Sequence, residues 1–103
     1  MGLLDLLFGN KNEQLQEFIT KGAVIIDVRT PGEFQGGHIQ GSKNIPLQSL
    51  QGQINAIKKL NKPIIACCAS GMRSSSAASI LKSHGIEVVN GGGWSSLAHK
   101  LNQ

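Results

Sequence analysis

The sequence predicts an α/β domain built on a central, mainly parallel sheet with helices on both faces, and three observations carry that reading. Runs rich in Val and Ile, at Ala23 to Val28, Ile64 to Cys67 and Ile86 to Val89, are set off by Gly22, Pro63 and Gly85. The first of these runs shows no polar alternation, the pattern of a parallel strand covered on both sides. Between them lie stretches whose apolar residues recur at helical spacing, so strands and helices alternate along the chain.

The elements follow in order. Asn10 and Glu13 have the spacing of a capping box, Leu15, Phe18 and Ile19 share one helical face, and Gly22 fits the stop. Ala23 to Val28 forms the first strand. Thr30, Pro31 and Glu33 supply a cap, a first-turn proline and a capping-box acid for a short helix. After Gly36-Gly37, Lys43 to Pro46 reads as a short strand. Leu47, Leu50, Ile54 and Ile57 suit one amphipathic helix despite Gly52. Ile64 to Cys67 is a strand, Arg73 to Ser83 a helix rich in small residues, and Ile86 to Val89 a further strand. Trp94, Leu97 and Leu101 mark a terminal helix, with Gly91-Gly92-Gly93 as the turn before it.

With 103 residues, 40% of them hydrophobic and 16% charged, the chain fits one globular domain rather than a disordered segment. The formal net charge of +4 favours anionic small molecules or acidic partners. The lysines are scattered without interleaved aromatics, which argues against nucleic acid. The apolar run from Leu3 to Phe8 is short and interrupted by Asp5, so neither a signal peptide nor a membrane span is expected. The two cysteines, Cys67 and Cys68, are adjacent and poorly placed to pair, which points to a reduced, cytoplasmic setting.

The chemistry concentrates at Ile64-Ile65-Ala66-Cys67-Cys68-Ala69-Ser70-Gly71-Met72-Arg73-Ser74. A buried strand ends in a cysteine, a glycine-containing turn follows, and an arginine opens a helix. Ligands of open α/β sheets bind beyond the carboxyl ends of strands, where turn and helix N–H groups point inward. A thiol in such a cradle ionises below its free value of about 8.5.

The stretch from Cys68 to Ser74 resembles the active-site loop of the rhodanese family, six residues from cysteine to arginine. Ile25 to Phe34 resembles the family's first-strand signature, Gly37 to Leu47 its second, and Val89 to Trp94 its last strand-turn-helix. The matches are in order and extend from about residue 12 to the end, which leaves residues 1–11 as an N-terminal extension that packs on the domain or meets a partner.

The resemblance implies a three-layer rhodanese-like fold and a sulfurtransferase. Cys68 is the implied nucleophile, Arg73 a charge that fixes the loop, and Ala69, Ser70, Gly71, Met72 and Ser74 the substrate-binding residues. The implied substrates are a small anionic sulfur donor such as thiosulfate and a thiol or cyanide acceptor, with no metal or organic cofactor. Two other readings stand beside it: a non-catalytic rhodanese-type module that binds a partner, and a phosphatase using Cys67, whose spacing to Arg73 is one residue longer. Cys67 continues the apolar strand and is expected in the core, which favours Cys68.

The remaining polar residues have plainer roles. Asp27 and Arg29 are expected to form a structural ion pair, and Glu33 to cap its helix. His38 is expected to bond backbone, and Trp94 to lie near the site's rim. Ser74, Ser75 and Ser76 suit close packing at the helix start. His38, His84 and His99 lack metal-ligand spacing.

Overall fold

The structure, a computed structural model, describes residues 11–103. The apolar run Leu3 to Phe8 and the Asn10 cap therefore lie outside the described residues. The elements are α1 (Lys11–Thr20), β1 (Val24–Asp27), α2 (Pro31–Gln35), β2 (Lys43–Asn44), a 3-10 helix (Leu47–Gln53), α3 (Ile54–Leu60), β3 (Ile64–Cys68), α4 (Met72–Ser83), β4 (Val88–Gly93) and α5 (Trp94–Lys100).

The four strands form one parallel sheet in the order β2-β1-β3-β4. Side chains alternate across it, as the pleat requires. Ile26, Val28, Ile64, Ala66 and Cys68 face one layer, made by Leu50 of the 3-10 helix, Ile54 and Ile57 of α3, and Ala77, Ala78 and Leu81 of α4. Ile65, Cys67 and Val89 face the other, made by Leu15 and Phe18 of α1, Ile39, and Leu97 of α5. Three layers result, with the sheet buried on both sides. Each fully buried Ile or Leu contributes about 1.5–3 kcal/mol relative to exposure.

Several expectations shift. The single helix read over Leu47 to Ile57 is two pieces, because the chain runs as a 3-10 helix to Gln53, whose φ of −110° breaks it before α3. Leu50, Ile54 and Ile57 still reach the core, so the apolar spacing was sound and the continuity was not. At the helix start only Ser74 is buried; Ser75 and Ser76 face solvent. The larger correction is at the triple glycine, which is strand and not turn. A Cβ on Gly91 would lie 2.7 Å from Ile65 Cγ2, and one on Gly93 2.8 Å from the Ala69 carbonyl oxygen. β4 runs too close to β3 and the following loop for any side chain there, and glycine permits that approach.

A bulge accompanies it: Ala66 pairs with Asn90, but Cys67 pairs with Gly92. One residue is thereby inserted into β4 opposite the end of β3. Asn90, ahead of the bulge, sits beside the start of α4 and not beyond the sheet.

Candidate active site

β3 runs one residue further than the sequence suggests, so Cys68 is its last residue. Gly71 then takes φ +102° as the residue before α4, a conformation that side chains rarely adopt. That turn folds the loop back over the sulfur. The Gly71 N–H donates to Cys68 Sγ at 3.0 Å and the Ser74 N–H at 3.4 Å, while Ser74 Oγ lies 3.3 Å away.

Cys68 itself is 0% exposed, at the floor of the loop, although Ala69 and Ser70 above it face solvent. Burial pushes its thiol up. The Ser74 hydroxyl and the N–H groups of Ser74, Gly71 and Ser70 outweigh burial, and the thiol ionises below its usual value. Cys67 behaves oppositely. It lies on the other face of β3 among Leu15, Phe18 and Leu97, and burial, reinforced by Asp27 and partly offset by Arg29, pushes its thiol up to about 12. Of the two adjacent thiols, Cys68 is therefore the one that ionises more readily, and Cys67 lies in the core, as expected.

Arg73 is held by a partner that the sequence reading did not give it. Its two terminal nitrogens meet the two Glu33 oxygens at 2.8 and 3.0 Å, a fork-to-fork pair. The Arg73 hydrogen bond, with help from Thr30, lowers the Glu33 carboxyl to about 2. Glu33 also completes the expected capping box with Thr30, so one side chain caps α2 and clamps the loop's far end. The charge of Arg73 at the site's edge is thus largely compensated.

Asp27 and Arg29 form the expected ion pair, and it is deeply buried: Arg29 Nη2 lies 2.7 Å from Asp27 Oδ2, with 0% of Asp27 and 4% of Arg29 exposed. Arg29 also donates to the carbonyls of Gly37 and Glu33 and lies 4.7 Å above the Trp94 ring. Trp94 therefore supports the end of β1 beneath α2. His38 Nδ1 is 2.8 Å from the Phe34 carbonyl, and its ring stacks on Phe34.

Of the expected binding residues, Gly71, Ser74 and the Ser70 N–H converge on the sulfur. Met72 is 79% exposed. A shallow depression lined by Ser70, Gly71, Met72, Ser75, Asn90 and Gly92 lies along the loop. Asn90 is the residue that sequence reasoning missed. It fell between the strand read to Val89 and the turn read at Gly91-Gly92-Gly93, and a polar residue following an apolar strand was the signal available. Among the described residues no cluster of three or more His, Cys, Asp or Glu side chains is placed to hold a metal ion. Nor is any helix among them long and apolar enough to cross a membrane.

The site is thus a strand-end thiol cradled by loop N–H groups at a helix start, on a parallel α/β sheet. The profile of the rhodanese-like domain matches residues 11–100, and the chain belongs to that family. It is 45% identical over 69 residues to YqhL of Bacillus subtilis, a protein of uncharacterised function, covering 66% of this chain and 54% of that protein. This chain thus matches about half the length of YqhL. It is 39% identical over 77 residues to the thiosulfate sulfurtransferase GlpE of Ectopseudomonas mendocina, covering 75% of this chain and 70% of GlpE. A solved structure described as a rhodanese with anions, from E. coli, superposes with a TM-score of 0.65 at 36% identity, covering 71% of this chain and 88% of that one.

Proposed function

We propose that this protein is a sulfurtransferase working through a persulfide on Cys68. The observation that carries the reading is the cradle on one sulfur: the Gly71 and Ser74 N–H groups donate to Sγ at 3.0 and 3.4 Å, and the Ser74 hydroxyl lies 3.3 Å from it. The likeness to GlpE supports thiosulfate as donor, and the similar E. coli structure described as a rhodanese with anions supports an anionic substrate.

In the first step the Cys68 thiolate attacks the outer sulfur of thiosulfate. A sulfur–sulfur bond forms to Cys68 while the donor's own sulfur–sulfur bond breaks, and its electron pair leaves with sulfite. In the second, an acceptor thiolate or cyanide attacks the outer sulfur of the persulfide. The bond to Cys68 breaks and the thiolate returns. Neither step needs an oxidant or reductant. The loop's N–H groups stabilise the anionic sulfur at each stage, as preorganised donors stabilise an oxyanion. With Arg73 already paired to Glu33, attraction of the donor falls chiefly to these N–H groups.

Intact mass spectrometry before and after thiosulfate tests the proposal. Wild type and Cys67→Ser gain one sulfur atom, and Cys68→Ser gains none. Uptake that depends on Cys67 moves the nucleophile. No uptake by any form, from thiosulfate or a stronger persulfide donor, refutes sulfur transfer and leaves a partner-binding module.

A further inference from the structure

Asn90 makes three contacts inside the site. Its Oδ1 accepts from the Ser74 hydroxyl at 2.6 Å and from the Gly92 N–H at 2.9 Å, and its Nδ2 donates to the Gly71 carbonyl at 3.1 Å. A backbone N–H only donates and a carbonyl only accepts, so Gly92 and Gly71 fix which end of the carboxamide faces which way. A flipped amide would set donor against donor and acceptor against acceptor. The oxygen is therefore held towards Ser74.

Ser74 has one hydroxyl proton and two candidate acceptors, Asn90 Oδ1 at 2.6 Å and Cys68 Sγ at 3.3 Å. When Cys68 is a thiol there is no conflict: S–H donates to Ser74 Oγ, and the Ser74 O–H donates to Asn90. When Cys68 is a thiolate, sulfur and amide oxygen compete for the same proton. In a persulfide Sγ becomes a bridging sulfur, the charge moves to the outer atom, and the proton is again free for Asn90.

We propose that Asn90 is a positioning residue that tunes Cys68 by holding the Ser74 hydroxyl proton, favouring the thiol and the persulfide over the bare thiolate. The inference rests on Cys68 as the nucleophile of the proposed reaction. Its consequence is a thiolate more basic than the loop donors alone would leave, and a more basic thiolate is the stronger nucleophile towards sulfur. The other charged or titratable groups around the loop are Arg73 with Glu33 of α2, Asp27 with Arg29 at the end of β1, and Cys67 on the opposite face of β3. Cys67 is replaced identically in every member of the cycle below, and the others are left unaltered.

The test is a double-mutant cycle on a Cys67→Ala background: parent, Asn90→Ala, Ser74→Ala and both together. The ionisation of Cys68 is followed by ultraviolet absorbance of the thiolate and by the pH dependence of alkylation with iodoacetamide. With Ser74 present, Asn90→Ala is expected to lower the Cys68 pKa by about half to one unit more than it does in the Ser74→Ala protein. Equal shifts in both backgrounds, or coupling of the opposite sign, overturn the proposal and assign Asn90 to bracing the loop through Gly71. Asn90→Leu, of similar volume but with no acceptor, carries the same cycle if Asn90→Ala does not fold. These titrations need no sulfur donor, so a failure to take up sulfur counts against the proposed reaction alone.

Discussion

Arg29→Met should remove much of this protein's stability without touching Cys68. Asp27 is fully buried and takes four hydrogen bonds from Arg29: the backbone N–H to Oδ1 at 3.0 Å, Nε to both oxygens at 2.9 and 3.0 Å, and Nη2 to Oδ2 at 2.7 Å. Methionine keeps the first of these and the bulk of the stem, but leaves a buried carboxylate without its counter-charge. Breaking a buried pair from one side costs about 3–5 kcal/mol. The lost contact with Trp94 adds about 0.5–2 kcal/mol. A domain of this size is stable by about 5–15 kcal/mol in total. Urea denaturation followed by circular dichroism should therefore show the midpoint falling by about 2 M, given a slope of about 1–3 kcal/mol per molar. Asp27→Asn combined with Arg29→Met removes the stranded charge and should be more stable than Arg29→Met alone. A loss under about 1 kcal/mol, the worth of an exposed pair, would refute the reasoning, as would a double variant no better than the single one.

Other outcomes follow from the same geometry. Gly93→Ala places a Cβ 2.8 Å from the Ala69 carbonyl oxygen; the backbone must shift, at about 1–3 kcal/mol, and Cys68 alkylation should slow because the loop moves with it. Iodoacetamide at neutral pH should label Cys68 alone in the folded protein, with Cys67 labelled only after denaturation, because its thiol is held up to about 12; peptide mapping by mass spectrometry decides. The raised Cys67 value also means that stability present below the ordinary thiol value is lost as pH rises through about 12, and Cys67→Ala should flatten that alkaline decline in urea midpoint. Glu33 is the opposite case: its carboxyl is lowered from 4.5 to about 2, so its stabilising contribution is present above 4.5 and lost as pH falls through about 2. The gap in urea midpoint between wild type and Glu33→Gln should close over that acid range.

The strands were legible because a sheet buried on both faces demands uninterrupted apolar residues, and Ile25, Ile26, Ile64 and Ile65 supply them. The Thr30–Glu33 capping box was legible because its partners are three residues apart. Glycine and proline punctuation marked a strand from Ile64 to Cys67, one residue short of where β3 ends. What the sequence by itself determined, then, was a sheet covered on both faces, the loop that follows β3 and the place of Cys67 in the core, since it continues an apolar strand.

The tertiary structure alone decided which distant residues complete the loop. Glu33 meets Arg73 across forty positions and Asn90 meets Ser74 across sixteen, and no local period encodes either distance. The triple glycine looked like a turn because glycine's freedom is visible in sequence, whereas the closeness of β3 that requires it is not. The bulge at that point sets the register of β4, and the register brings Asn90 to the sulfur's neighbour. Local contacts are written in spacing, but cross-strand register and salt-bridge partners exist only once the packed layers bring remote segments together.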